Sequence, residues 1–255
     1  MKFTINPFFE IADKKIISIA NNFNSEGILF GDGKRNKIKI FEIEGKTINI
    51  KSFKIPHLIN KIAYKYLRKS KARRSFEYGT ILLKKGIGTP QPIAYFENHD
   101  IIGIKDSYYV SEHLQCDFTF RELVEIPDFL DHENILRQFT RFSFGLHEKG
   151  IEFLDHSPGN TLIKKKSEGH YDFFLVDLNR MNFHDVMDFD LRMKNLSHLT
   201  INKEIIAVMS NEYAKCYTIQ TEEAIFEKIC FYTNDFQKRL RRKKLLKKKL
   251  KFWKS

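Results

Sequence analysis

Asp155, Asn160 and Asp177 are the residues whose types and spacing can do chemistry. The first two stand five positions apart in Phe-Leu-Asp-His-Ser-Pro-Gly-Asn-Thr-Leu-Ile, residues 153–163. Pro158 and Gly159 keep that stretch out of helix and regular strand. Asp177 closes the next apolar run, His-Tyr-Asp-Phe-Phe-Leu-Val-Asp at 170–177. A strand-loop-strand unit brings all three to one edge. Two carboxylates and an amide oxygen suit Mg²⁺, a hard cation that takes oxygen ligands and keeps substrate phosphates in its shell. Taken singly, Asp155 is also an ordinary Asx-turn residue and Asp177 an ordinary strand-end cap.

The elements that must hold these residues can be read from periodicity. Residues 27–30, 37–43 and 46–54 are Ile- and Phe-rich β runs, separated by Gly-Asp-Gly-Lys-Arg-Asn (31–36) and Glu-Gly-Lys (44–46). An antiparallel meander fits them. A helical segment over roughly 57–85 follows, ended by Gly86, Gly88 and Pro90. Three further β runs come at 92–96, 101–105 and 108–112. The first 112 residues thus predict a mixed sheet with one main helix.

From about residue 118 the pattern turns helical. Asp131 is the expected N-cap of a helix whose apolar face is Ile135, Phe139, Phe142 and Leu146, with Gly150 as its stop. Residues 185–235 read as about three more helices. The fold class is α+β: a β-rich part over 1–112, a helical part over 113–235, and a tail over 236–255.

This ordered set resembles the protein-kinase-like superfamily, whose catalytic loop has an Asp, four residues and an Asn, with a metal-binding Asp following. Asp155-His156-Ser157-Pro158-Gly159-Asn160 and Val176-Asp177-Leu178 match it. Upstream, Ile-Asn-Ile-Lys (48–51) looks like the third-strand Val-Ala-Ile-Lys. Within the superfamily the chain is most similar to the lipopolysaccharide kinases that phosphorylate Kdo or heptose of the inner core. The carrying stretches are KSFK (51–54), KARRSFE (71–77), GIGTPQPIA (86–94), LHEKGIEFLDHSPGNTLI (146–163) and VDLNRMNF (176–183).

The resemblance implies a two-lobed fold and an ATP- and Mg²⁺-dependent phosphotransferase. Asp155 would orient or accept the proton of an acceptor hydroxyl. Asn160 and Asp177 would hold Mg²⁺. Lys51 would grip the α and β phosphates, with Glu77 holding Lys51 in place. Lys51 has a rival in Lys54, and alternation decides for Lys51, because Ile48 and Ile50 face the core. Gly31 and Gly33 would lie at the phosphates, and backbone groups from Glu112 to Leu114 would meet the adenine. His147 and His156 would orient the loop.

The sequence also departs from the superfamily. Phe153-Leu154 replaces the usual His-Arg, the Gly-rich loop is shortened to residues 31–36, and Asp-Phe-Gly reads Asp177-Leu178-Asn179. No Ala-Pro-Glu segment follows. These losses argue against a protein kinase and suit a small or glycolipid acceptor. They leave two alternatives: a soluble small-molecule kinase of the aminoglycoside or choline type, and a membrane-associated pseudokinase scaffold.

Charge adds a location. The net charge is +12, and residues 236–255 carry eleven Lys and Arg with no acid. Without them the rest of the chain is near neutral, which is not how a uniformly basic nucleic-acid binder divides its charge. On a helical wheel Phe236, Leu240, Leu246, Leu250 and Trp253 share one broad arc. Such a helix would lie on an anionic membrane face or remain a solvated tail. The basic run 68–74 would bind acidic sugar phosphates or be an exposed helix start. Three dispersed cysteines fit a reducing compartment. The opening residues lack a secretory pattern, and no run reaches the ~18 apolar residues of a membrane span. The expected setting is cytoplasmic and peripheral on the inner face of the membrane.

Overall fold

The computed structural model of the protein describes residues 1–33, 36–53, 69–101, 103–126 and 128–252. Lys54, Arg68, Trp253 and the expected helix over 57–68 lie outside the described residues, and so do the side chains of Leu250 and Phe252. The chain divides into two compact units, Met1–Gln115 with Phe174–Arg180, and Cys116–Phe173 with Met181–Ser255.

The first unit is built on six strands: β1 (Lys2–Ile5), β2 (Ile28–Phe30), β3 (Lys37–Ile43), β4 (Lys46–Ser52), β5 (Pro92–His99) and β6 (Ile104–Glu112). Their order is β1-β5-β6-β4-β3-β2. Every pairing is antiparallel, so the expected mixed sheet is corrected. A second correction concerns residues 101–112. They form one strand from Ile104, because Asp100 closes a tight turn with Gly103, and Asp106-Ser107 stays in register with Asn98 and Glu97.

Alternation along β4 is as expected. Ile48 and Ile50 are buried, while Asn49 and Lys51 point to the other face. Ile48 and Ile50 join Phe41, Ile93, Phe96 and Val110 in one cluster. Burying each such side chain contributes roughly 1.5–3 kcal/mol. Helix α1 (Asp13–Asn21) adds Ile16 and Ile19 to that cluster, so the unit has a helix besides the main one. The main helix, α2 (Lys71–Lys84), is capped by Ser70, whose hydroxyl accepts from Arg73 N at 3.0 Å. Its Gly79 allows close packing: a Cβ there would lie 2.7 Å from Pro92 and 3.3 Å from Leu178.

The second unit is mainly helical. It contains β7 (Phe118–Thr119), α3 (Phe120–Glu125), α4 (His132–Glu148), β8 (Ile151–Phe153), β9 (Thr161–Ser167), β11 (Met181–Phe183), α5 (Phe189–Leu196), α6 (Lys203–Cys216) and α7 (Glu222–Phe252). Strand β10 (His170–Leu175) continues β9 and leads into the segment 174–180. Ile135, Phe139 and Leu146 of α4 are fully buried, as its periodicity predicts.

Asp131 stands at the N-cap of α4 but does not cap it. Its backbone is left-handed, and its carboxylate accepts instead from Asn134 Nδ2 and Tyr171 OH, each at 2.9 Å. Gly150 ends the helix at φ +69°, and a Cβ there would lie 1.8 Å from the His184 carbonyl oxygen. That residue donates its N–H back to Gly150 O at 2.8 Å, so only glycine fits the position.

The basic tail is not a separate element. It continues α7 without a break to Phe252. The Phe236 ring lies tilted against His198, with centroids 4.1 Å apart, and therefore belongs to the packed part of the helix, not to a free stripe. Residues 241–247 are all exposed, including Leu245 and Leu246. No helix among the described residues is long and apolar enough to cross a membrane. The three cysteines are free.

Candidate active site

Lys51 and Asp177 meet in the first unit. The ammonium lies 2.8 Å from Asp177 Oδ1, with the lysine side chain only 15% exposed. Antiparallel pairing fixes the lysine between Ile38 of β3 and Tyr109 of β6. The aspartate is fixed from the other direction. Leu175 N donates to Gly88 O at 2.9 Å, and Thr89 Oγ1 donates to Leu175 O at 2.8 Å. The Gly-Ile-Gly-Thr turn after α2 thus clamps the chain just before Asp177. Buried Leu178 holds it just after.

Asp177 itself has φ +59°, a left-handed conformation rare outside glycine and Asn/Asp. Asn179 Nδ2 donates to Asp177 Oδ1 at 2.6 Å. Both side-chain bonds therefore fall on one carboxylate oxygen, and Oδ2 makes none among the described residues. Asp131 has the same left-handed backbone at φ +58°, so the conformation is one that Asp residues of this chain adopt elsewhere too.

The expected Lys51–Glu77 pair is not formed. Glu77 accepts from Lys69 Nζ at 2.8 Å and Arg73 Nε at 2.9 Å. The i,i+4 spacing to Arg73 and the short reach to Lys69 turn the carboxylate along its own helix. Burial works to raise the Glu77 carboxyl, but those two bonds outweigh it and hold the group below its ordinary value.

The backbone expected to meet adenine, Glu112 to Leu114, ends β6 and follows it. Glu112 N and His113 N are already bound, to Gln91 O at 3.0 Å and Thr47 O at 2.9 Å. Leu114 N makes no hydrogen bond among the described residues. The His113 ring meets Phe30 edge-on at 5.2 Å. Gly31 and Gly33 follow Phe30 directly and have positive φ, with open space where a Cβ of Gly31 would stand.

Asp155 and Asn160 lie in the second unit, in the loop after β8. Asn160 Nδ2 donates to the Asp155 carbonyl at 2.8 Å, and Ser157 N donates to the same oxygen at 2.7 Å. The five-residue spacing therefore closes a ring that the sequence alone does not reveal. The amide nitrogen donates to the backbone, and Asn160 Oδ1 makes no hydrogen bond among the described residues.

Beneath the loop lies a buried network in which the two expected histidines, His147 and His156, meet two residues that sequence reasoning missed, Asn195 and Tyr213. Asn195 Nδ2 donates to Phe153 O at 2.8 Å, which fixes the orientation of its amide. Its Oδ1 is 3.2 Å from His147 Nε2 and 3.3 Å from His156 Nδ1. An amide oxygen only accepts, so both imidazoles carry their proton on those nitrogens. His147 Nδ1 is then the acceptor for the Tyr213 hydroxyl at 2.8 Å. Burial pushes His147 down to about 3 and His156 down to about 4. Both rings are neutral at physiological pH and hold the loop rather than carry charge. Phe153-Leu154 is thus anchored through the Phe153 carbonyl, which also accepts from His156 N at 3.1 Å. The Asn195 partner had no signal in sequence, since it comes 42 positions away on α5.

For a nucleotide and its metal, the donor chemistry fits. In the first unit Asp177 Oδ2 is a hard oxygen left over by the local bonding, beside the shielded cation of Lys51; in the second unit Asn160 Oδ1 is another such oxygen. No group of three or more His, Cys, Asp and Glu among the described residues forms a metal site without help from other ligands.

No family model and no curated protein matches the chain. A solved structure, WaaP in complex with acyl carrier protein, does match. The alignment covers 95% of this chain and 99% of that chain, with a TM-score of 0.62 and 15% identity. The chain shares the fold of WaaP. Matching solved chains number 942, so this fold is widely used and does not by itself assign a chemistry. It does account for the α+β organisation, in which a β-rich part precedes a helical one.

Proposed function

We propose that the chain is an ATP- and Mg²⁺-dependent kinase that phosphorylates a sugar hydroxyl, of Kdo or heptose, in the lipopolysaccharide inner core. The likeness to WaaP supports a kinase of the lipopolysaccharide-core type in general. The observation that carries the ATP- and Mg²⁺-dependent part of the reading is the Lys51–Asp177 pair. A phosphate-binding cation and a metal-binding carboxylate are held together, on opposed clamps, at positions the kinase pattern assigns to them.

Phosphoryl transfer asks a protein mainly for in-line positioning and charge neutralisation. Lys51 gives its ammonium to the α and β phosphates. Asp177 Oδ2 and Asn160 Oδ1 are the oxygens that would hold the metal ion, whose charge would offset that of the phosphates. Asp155 orients the acceptor hydroxyl and takes its proton as the oxygen attacks the γ phosphorus and ADP departs. Gly31 and Gly33 leave room for backbone N–H groups near the phosphates, and Leu114 N faces adenine. Glu77 fixes the start of α2 through Lys69 and Arg73. The basic half of α7, exposed over residues 241–247, binds the anionic inner face of the membrane, where each Lys or Arg contributes about 1 kcal/mol.

The test is chemical analysis of the core sugars. A strain lacking the gene is complemented with wild type or with Asp155→Asn. Mass spectrometry should show a phosphate restored by wild type alone. Equal restoration by both removes the catalytic assignment of Asp155.

A further inference from the structure

Arg121 is a cation that the kinase reading does not use. It follows β7 directly, on the first turn of α3. Strand β7 pairs antiparallel with β9, Phe118 opposite Ile163 and Thr119 opposite Leu162. Extending that register sets residue 121 opposite residue 160, beside the loop that carries Asp155 and Asn160. The guanidinium lies over that loop: a Cβ built on Gly159 would stand 2.7 Å from Arg121 Nη2 and 3.5 Å from its Nε and Cζ. Glycine at 159 thus leaves the space that the planar group occupies.

The guanidinium forms no hydrogen-bonded ion pair with an acid among the described residues, and Glu122 feels its charge through space. Arg121 is exposed and makes no ion pair among the described residues. The nearest acids in sequence are engaged elsewhere. Glu122 accepts from Thr119 N and Oγ1 in a capping box, and Asp117 accepts from Lys165 N. Three further lysines, Lys164, Lys165 and Lys166, are exposed on β9 just after the loop. The neighbourhood of Asp155 within this unit is therefore positive on the β7–β9 side.

Resting on the kinase reading above, we propose that Arg121 binds an oxyanion of the acceptor, a carboxylate or a phosphate, next to the hydroxyl that Asp155 addresses. A guanidinium presents two parallel N–H groups, which match two oxygens of either anion and fix its orientation as well as its place. The substrate class is thus a sugar acid or a sugar phosphate in preference to a neutral sugar.

The full chain is tested by calorimetry with two pairs of probes: Kdo against its methyl ester for the carboxylate, and heptose 1-phosphate against heptose for the phosphate. Wild type should bind the charged member of at least one pair ten-fold or more tighter than the neutral one. In Arg121→Ala that ratio should fall to within two-fold of one. Arg121→Lys should fall between, keeping the charge without the fork. Gly159→Ala, which leaves Arg121 in place but displaces its guanidinium, should also lower the ratio. A wild-type ratio near one for both pairs overturns the proposal, and so does a ratio that Arg121→Ala preserves. Mg²⁺-ATP binding is measured on the same samples. Its absence removes the kinase reading, while the charged-to-neutral ratio still decides the role of Arg121.

Discussion

Lys51 pairs with Asp177 at 2.8 Å, while Glu77, the partner expected from the kinase pattern, is occupied by Lys69 and Arg73. The lysine and the aspartate therefore behave as one unit, and the glutamate as part of its own helix. Lys51→Met should lower turnover by about 10²-fold or more, the scale of losing one positioned electrostatic donor. Glu77→Gln should cost only about 1 kcal/mol or less, as for exposed ion pairs, and keep most of the turnover. Steady-state rates and urea midpoints for the two variants check this. Equal loss in both would show that Glu77 acts on the nucleotide directly.

Asn160 Nδ2 donates to the Asp155 carbonyl, and its Oδ1 is the oxygen proposed for the metal. Asn160→Asp keeps an oxygen for the metal but sets a carboxylate against a carbonyl oxygen. The loop should open even though the metal donor is retained. The expected result is a rise of about ten-fold or more in half-saturating Mg²⁺, one order being ~1.4 kcal/mol. Titrating Mg²⁺ against ATP turnover reads it. An unchanged Mg²⁺ requirement would count against Asn160 as a ligand.

The buried histidines predict an acid-sensitive fold. Their folded values, about 3 for His147 and about 4 for His156, lie below the ordinary 6.5. The unfolded chain thus binds more protons than the native one between pH 6.5 and 4, and stability falls as pH falls through that window. Each histidine contributes a slope of up to about 1.4 kcal/mol per pH unit there. His147→Gln retains a donor for Asn195 but cannot titrate, so it should show a shallower slope. Urea unfolding at half-unit pH steps from 7.5 to 4.5 measures both proteins. A slope that His147→Gln leaves untouched would refute the assignment.

Gly150→Ala meets two obstacles at once, a positive φ and the His184 carbonyl at 1.8 Å. The strain alone costs on the order of 1–3 kcal/mol, and the backbone contact adds to it. Thermal melting should show a large fall for this variant. Gly31→Ala, whose Cβ would meet nothing within 4 Å, should fall by less.

Membrane attachment should separate cleanly from folding if the cut is placed correctly. Phe236 packs on His198, so removing it would damage the body. Deleting residues 238–255 should leave the melting temperature nearly unchanged and reduce sedimentation with anionic vesicles at least ten-fold. Full binding by the truncated chain would place the membrane contact elsewhere.

Local patterns in the sequence carried much of this structure. Ile48 and Ile50 alternate with Lys51, and Ile135, Phe139 and Leu146 step along one helix face, because each pattern is set within one element. What stayed hidden depends on long-range partners. Asn195 reaches Phe153 across 42 positions. Lys51 selects Asp177 over Glu77 because of where sheet register and the 86–89 turn put them. Asp131 has the right residue type for a cap, yet a left-handed backbone sends its carboxylate to Tyr171. The strand at 104–112 was read as two because Asp106-Ser107 looks like a turn until its register with β5 is known.

The unbroken course of α7 has a mechanical meaning. Its first turns are fastened by Ile225 and Ile229 in the core, and Thr233 Oγ1 bonds to Ser197 O at 3.2 Å. The basic turns continue on the same rigid axis, and the whole helix is about 46 Å long at 1.5 Å per residue. A flexible tether would only raise local concentration at a surface. A stiff spar also fixes the angle of approach, so whatever anionic surface it meets is presented to the helical unit in one pose.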